Sequence, residues 1–409
     1  TGGRIHPLFR QFLAHHLRLE APPHHIQAMH LAVATAAEPT DWLVASKHFA
    51  LGGEPNEAMR VLGSAASEAL GTGAWGAAVE IVDLMPDTAP PPSVEVIKAR
   101  ALVSDGRPDE AIALLASMNS SDLATDDRVL VRLARASALQ MGGYSQDLWV
   151  ELSALKASRH SESVVNRLSD AWALIGSACQ GGPISEVRRS LDGLEREAGA
   201  KDLGHFEGIA QHNSATAALA QGDYEVAVKL AVQARSTLVG SPPDASIRPS
   251  ALMVQAIATA ESSGISDGLA LAHEACESKD SHPDVMADAA YLSAVSGDGE
   301  GANLLELRLL RVIAGGPTLV GTPHQASVVR VMNLVTSGDF REALNRARGL
   351  GGPSADELDG SSRGAYLRAL TATLAKAPSA LEETEFAMKA IERQQAWRWD
   401  FRIRMVHAV

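Results

Sequence analysis

A glycine recurs along this chain, and nine times it is followed five positions later by a small or apolar residue. The pairs are Gly53 and Ala58, Gly73 and Ala78, Gly106 and Ala111, Gly143 and Leu148, Gly182 and Val187, Gly222 and Ala227, Gly264 and Leu269, Gly297 and Ala302, and Gly338 and Ala343. From Gly73 onward the glycine-to-glycine steps are 33, 37, 39, 40, 42, 33 and 41 residues. A period of this size belongs to a stacked two-helix repeat. Glycine ends the first helix, where the chain turns and a positive φ is convenient. Asp, Pro or Ser just beyond it opens the second helix, as in GRPDEA and GDYEVA. The small residue one turn further on lets the two helices approach closely.

The unit around Gly222 is the clearest. A helix is expected over FEGIAQHNSATAALAQ and a second over YEVAVKLAVQARSTL. Ala215, Ala227 and Ala234 fall at the three small positions of a tetratricopeptide (TPR) repeat, and the units resemble that family. Composition agrees. Hydrophobic residues make up 46% of the 409 but aromatics only 4%, so alanine carries much of the burial. Alanine suits close helix–helix contact better than a β-sandwich core. The segments GSPPDASIRPS, AGGPTLVGTP and GGPSADELDGSS read as connectors, and PDTAPPPS at 86–93, with four prolines, separates an N-terminal helical segment from the main array. No stretch shows strand alternation with hairpin turns. The expected fold class is all-α, an antiparallel helix-pair superhelix of TPR-like type.

Several function classes are disfavoured. Net charge is −13, with 8 Lys against 28 Arg and no basic run, so direct nucleic-acid contact is not expected. The longest apolar runs are too short to span a membrane. Cys179 and Cys276 lie far apart and form neither a disulfide framework nor a zinc pattern, which suits buried thiols in a reducing cytosol. Seven of the 14 His lie in the first 48 residues, yet their spacing supplies no H-E-x-x-H and no Cys partner, so no metal is expected. His273 and Glu277 share a helix face at i, i+4, as solvated helices commonly show. Acidic residues gather at helix starts, where they complement the helix dipole, and there is no G-x-S-x-G elbow. No catalysis is expected within the chain.

The stretch RIHPLFRQFLAHHL, at residues 4–17, adds a second resemblance. It is similar to the last helix of the winged-helix domain in STAND ATPases, signal-transduction ATPases with numerous domains, and most of all to the bacterial maltose-regulon activator (MalT) type. In that group a helical pair follows with Trp, His, Gly and Ala in order, and here Trp42, His48, Gly53 and Ala58 stand in that order. The resemblance covers residues 4–86. It implies an ATPase, with ATP or ADP and Mg, upstream of this chain, whose own residues hold no G-x-x-x-x-G-K-S/T and need no cofactor. It also implies a LuxR-type helix-turn-helix, which would lie beyond Val409. By the same resemblance IHPL aligns with an MHDL motif whose His senses the nucleotide β-phosphate, making His6 the nucleotide-sensing candidate. Pro7 stands where that motif has Asp, which removes a carboxylate. Read without the resemblance, His6 only precedes a helix that Pro7 starts.

The expected organisation is a winged-helix end at 1–20, a helical linker with the first helix pairs at 21–90, and a TPR-like sensor superhelix at 91–409. A TPR superhelix turns the first helix of each pair to its concave face. Counting back from each turn glycine nominates Arg100, Trp172, His212, Asn213, Thr216, Asp288, Tyr291 and Met332 for ligand or partner binding. Trp172 and Tyr291 could stack on a sugar ring or an apolar ligand. Asn213 sits where peptide-clamping TPR domains use Asn. For each, ordinary packing between repeats is the plainer role. In the tail AWRWDFRIRMV, Trp397, Trp399, Phe401 and Ile403 alternate with Arg398, Arg402 and Arg404, which suits a cap on the last repeat or an interdomain or dimerisation surface. The expected function is sensing of a small-molecule inducer or protein partner by a cytoplasmic STAND-type regulator, with self-association of the full-length protein. The alternatives are a protein-binding scaffold, including a defence-type STAND protein, and a helical-toroid enzyme with two facing carboxylates.

Overall fold

The computed structural model describes residues 21–118, 123, 125–157, 163–239, 247–277, 283–315, 322–350 and 360–408. The expected winged-helix end at 1–20, and His6 with it, lies outside the described residues, as do parts of the three connectors. No strand occurs among the described residues. The helices are α1 (Pro23–Ala37), α2 (Trp42–Leu51), α3 (Pro55–Ser64), α4 (Ala66–Thr72), α5 (Trp75–Val82), α6 (Pro92–Ser104), α7 (Pro108–Ala116), α8 (Thr125–Gly142), α9 (Ser145–Ala157), α10 (Val164–Cys179) and α11 (Ile184–Ala200). They continue with α12 (Gly204–Ala220), α13 (Tyr224–Thr237), α14 (Ile247–Ser262), α15 (Ile265–Glu277), α16 (Pro283–Ser296), α17 (Gly299–Gly315), α18 (Thr322–Thr336), α19 (Phe340–Ala347), α20 (Gly360–Leu374), α21 (Ala380–Gln394) and α22 (Asp400–His407). Each helix packs mainly on its sequence neighbours, so the chain is a TPR-like α-solenoid.

The turns show why. At Gly222 (φ +78) the Gly222 N–H donates to Leu219 O at 3.0 Å and the Asp223 N–H to Ala218 O at 2.9 Å, satisfying two carbonyls that the end of α12 leaves open. Ala215, Ala227 and Ala234 are fully buried, as the repeat pattern requires. Positive φ also occurs at Gly53, Gly73, Gly106, Gly143, Gly264, Gly297 and Gly338. One expected turn glycine is displaced. Gly181, not Gly182, takes the left-handed conformation, at φ +91. Pro183 pushes the residue before it towards extended backbone, so the turn moves one position earlier.

Two further departures are informative. After Gly264 the second helix begins one residue sooner than elsewhere, and the close approach falls on Gly268 while Leu269 stays half-buried. A Cβ on Gly268 would stand 2.5 Å from both Ala256 O and Ala260 Cβ, so only glycine fits there. The pair α20–α21 escaped the glycine pattern because Lys376 occupies the left-handed position, at φ +52. Its bonds, Lys376 N–H to Thr373 O at 3.0 Å and Ala377 N–H to Ala372 O at 2.9 Å, repeat those at Gly222.

First and second helices differ in burial. On α13 the fully buried residues are Ala227, Ala231 and Ala234, one stripe facing the array. On α12 burial extends around the helix, from His205 and Phe206 to Ala220. First helices are therefore interior. The superhelix also returns on itself. Leu203 and Phe206 of the α12 region press on Gly71 of α4, and His205 meets the ring of the buried Trp75 edge-on at 4.7 Å. Gln394 reaches back across the array to donate to Ala178 O at 2.8 Å. Packing is continuous across the proline-rich 86–93 stretch, since α3, α4 and α5 all meet α6.

Candidate functional site

Neighbouring first helices touch one another along much of the array, α12 with α14, α14 with α16 and α16 with α18. Their facing side chains form an interior wall, and all eight nominated wall residues lie on first helices: Arg100 on α6, Trp172 on α10, His212, Asn213 and Thr216 on α12, Asp288 and Tyr291 on α16, Met332 on α18. Most have partners within the chain. The Arg100 guanidinium lies 4.8 Å from the centre of the Trp75 ring. Trp172 is partly buried against the core, and Met332 belongs to it. Asn213 Nδ2 donates to Ile209 O at 2.9 Å and Thr216 Oγ1 to His212 O at 3.1 Å, so both turn back on their own helix. His212 Nδ1 has no hydrogen-bond partner among the described residues, and burial pulls the imidazole down to about 4, leaving it neutral at pH 7.

Asp288 and Tyr291 are brought together with residues that the repeat pattern does not single out. Arg363 of α20 approaches Asp288 Oδ1 at 3.6 Å and lies 5.8 Å from the Tyr291 ring centre. Tyr366, one turn further along α20, stacks on Trp399 with ring centres 5.2 Å apart. Burial pushes the Tyr366 phenol up to about 12, with Tyr291 adding to the rise, so it remains protonated. Arg402 binds both oxygens of Glu261, at 2.8 and 2.7 Å, and the Arg398 Nε lies 3.5 Å from Glu261 Oε1. Burial works against the charge of Arg402, but Tyr291 and Glu261 outweigh it and its pKa is raised. Glu261 sits in the last turn of α14, where the helix dipole already disfavours a carboxylate. The two arginines supply what the helix end lacks.

Gln394 is the other unforeseen residue. It is fully buried, with Nε2 donating to Ala178 O and Oε1 accepting from the Ser361 hydroxyl, the Ser362 N–H and the Ser362 hydroxyl. A buried amide of this kind costs several kcal/mol if unmatched, so its satisfaction ties α10, α20 and α21 into one arrangement. The available signal was slight: polar Arg363 and Gln394 at helix positions that the repeat register makes interior. The tail thus does more than cap the last repeat, because Trp399 and Ile403 are fully buried and the 397–399 turn meets α12 as well as α20.

The pair of carboxylates nearest to the enzyme alternative is Glu195 and Glu207. The buried Gln211 Nε2 donates to one at 3.1 Å and to the other at 3.2 Å, while its Oε1 accepts from Thr237 at 2.9 Å. Gln211 thus bridges the two carboxylates. Elsewhere, low-exposure glutamates join adjacent helices. Glu151 takes Arg132 and Arg135 at 3.3 and 3.2 Å, and Glu306 takes Asn333 and Arg330 at 2.5 and 3.6 Å. Neither Cys179 nor Cys276 is in a disulfide, and burial pushes the Cys276 thiol up to about 11. Among the described residues no three His, Cys, Asp or Glu converge as a metal site, and no helix is long and apolar enough to cross a membrane.

No protein-family model matches the chain, and no curated protein does. Solved structures do. The chain is similar to the APC/C hetero-tetramer Cut9-Hcn1, with a TM-score of 0.51 and 13% identity over 92% of this chain and 64% of that one. It therefore spans a little under two thirds of that structure's length. The Naa15/Naa10 complex bound to HypK-THB aligns with 96% of this chain and 64% of its own at 16% identity, with a TM-score of 0.28. The P58(IPK) TPR domain aligns with 77% of this chain and 95% of its own at 13% identity, with a TM-score of 0.22. At these identities the likeness concerns fold.

Proposed function

We propose that this chain is a recognition module, a TPR-like superhelix whose interior wall receives an inducer or a protein partner and which performs no chemistry of its own. The observation that supports this reading is the wall itself. The first helices α10, α12 and α16 carry Trp172, His212, Asp288 and Tyr291, and α12, α14 and α16 touch in succession. His212 is neutral at pH 7 and its Nδ1 has no hydrogen-bond partner among the described residues, which suits recognition by hydrogen bonding.

The finer reading rests on the resemblance at residues 4–86. In it the chain is the sensor of a MalT-like STAND regulator in the cytoplasm, dividing at 1–20, 21–90 and 91–409. Ligand on the wall shifts how the array packs against an upstream ATPase, which exchanges ADP for ATP, self-associates and acts through a downstream LuxR-type domain. His6 is the nucleotide sensor in this scheme. Such a switch requires the inducer to favour the active arrangement, by about 5.5 kcal/mol to move a population from 1:99 to 99:1. The scaffold alternative draws on Cut9-Hcn1, which is itself a hetero-tetramer, and needs no ATPase or DNA-binding domain.

A thermal-shift screen against sugars, nucleotides, metabolites and peptides tests the proposal. A ligand at about 100 times its Kd stabilises by roughly 2.7 kcal/mol. The expected result is a hit that Trp172→Ala or His212→Ala abolishes with the fold intact. Hits insensitive to every wall residue would remove the site. A hit that leaves nucleotide exchange unchanged in the full-length protein would leave the scaffold reading in place of the regulator.

A further inference from the structure

The second helices before and after α17 in the array show water a polar face. On α15 the exposed side chains include Asp267, His273, Glu274 and Glu277, and on α19 they are Arg341, Asn345 and Arg346. Neither helix exposes a large apolar side chain. The second helix between them, α17, exposes four, with Leu304 at 61%, Leu307 at 54%, Leu310 at 46% and Val312 at 40%. The inner side of the same helix is already occupied. Ala302 and Leu309 are fully buried, and Glu306 is turned inward on Asn333 and Arg330. The outer leucines are therefore surplus to the packing of the array.

The spacing and charge of this face fit one partner. Glu300, Leu304, Leu307 and Arg311 are all exposed and follow one another at steps of four, three and four, the seam spacing of a coiled coil. Neither Glu300 nor Arg311 has an ion-pair partner among the described residues. Charge is divided along the helix, with Asp298 and Glu300 at its start and Arg308 and Arg311 further on. Laid antiparallel on a second copy of itself, the seam sets Glu300 against Arg311 at both ends and Leu304 against Leu307 between them. The two helix dipoles then oppose one another, which is also favourable. Laid parallel, it would set Glu300 on Glu300 and Arg311 on Arg311. The face is thus self-complementary in one orientation, as a two-fold interface must be. An anionic bilayer fits less well. It would meet Glu300 and, on α15, Asp267, Glu274 and Glu277, in a chain of net charge −13.

We propose that the outer face of α17 is a dimerisation surface, on which two copies of this chain pair antiparallel through Glu300, Leu304, Leu307 and Arg311. A helix of 17 residues is about 25 Å long, so the seam lies at the small end of specific interfaces and the dimer is weak and concentration-dependent. Because α17 is a second helix, its pairing uses none of the wall residues. The inference is independent of the recognition reading above and adds a partner for the outer face.

The test is sedimentation velocity on the full chain at about 1 to about 200 μM, the range a small interface calls for. The expected result is a monomer–dimer equilibrium. Glu300→Arg and Arg311→Glu, each alone, set like charges together at both ends of the seam and should weaken it by roughly ten-fold or more. The two variants mixed should pair with each other about as well as the unaltered chain pairs with itself, because both ends regain opposite charges. The Glu300→Arg/Arg311→Glu double variant should recover self-pairing for the same reason. A chain that is monomeric at every concentration would overturn the proposal, even if it captured a different protein through Leu304 and Leu307. Single variants that dimerise undiminished, or a mixture and a double variant that both stay monomeric, would overturn it too. If Glu300→Arg loses its helical signal, Leu304→Asn takes its place. Weaker pairing there with unchanged melting would support the seam, and undiminished pairing would remove it.

Discussion

The pair α12–α13 and the terminal stretch α20–α22 are built from the same helices but held by different means. In α12–α13, Ala215, Ala227 and Ala234 are fully buried and Gly222 makes the turn, so contact is close, local and apolar. In α20–α22 the turn falls on Lys376, the contacts to earlier repeats run through Arg363, Gln394 and Arg402, and Trp399 stacks on Tyr366 within the stretch. The first repeat could stack in any array of its kind. The second fits only where Glu261, Asp288 and the Ala178 carbonyl are waiting. Apolar small-residue contact propagates a solenoid, and paired buried polar groups choose the place at which it closes.

The comparison breaks most sharply at Trp399. Trp399→Ala should cost about 3–5 kcal/mol in chemical denaturation and strip hydrogen-exchange protection from α20–α22 before it affects α12–α13. Ala227→Leu tests the other region by overpacking and should cost about 1–3 kcal/mol, with α13 and its neighbours exchanging first. Equal loss of protection in both regions in either variant would show that they unfold as one unit.

Acid comes next. His212 lies in the first region, and His324 lies on α18 near Arg363 of the second. Burial lowers both to about 4, and Arg363 adds to the shift at His324. The folded state resists protonation while the unfolded state accepts it from about pH 6.5, so stability is full above that pH and falls as pH drops towards 4. Each imidazole should account for roughly 2 kcal/mol by pH 5. Denaturation midpoints between pH 7.5 and 5 should fall less in His212→Leu and in His324→Leu, and an unchanged slope in both would refute the assignment.

The smallest effect sharpens the contrast between the turns. Lys376→Gly should stabilise the chain by up to about 1 kcal/mol, because a lysine in the left-handed region carries strain that glycine does not. Gly222→Ala should destabilise by about 1 kcal/mol or more, since alanine meets the same strain there. Opposite signs in urea titrations of the two variants would establish that both positions share one geometry.

Much of this was readable from residue order. Eight of the nine turn glycines stand where the repeat placed them, and the ninth moved by one residue for a local reason, Pro183. All eight wall candidates lie on first helices. What neighbours each of them was not readable. Tyr291 and Asp288 meet Arg363, over 70 residues away in sequence, and Arg398 and Arg402 meet Glu261 at separations of 137 and 141 residues.

The sequence by itself determined the all-α class, the helix-pair period and the identity of interior and exterior helices. These follow from glycine, proline and alanine acting within a few residues of themselves. Only the tertiary structure decided that the array returns on itself, that Gln394 closes it and that the arginine-bearing tail meets Glu261. Those contacts depend on the accumulated rotation of several repeats, which brings distant charges together and leaves no periodic mark in the chain.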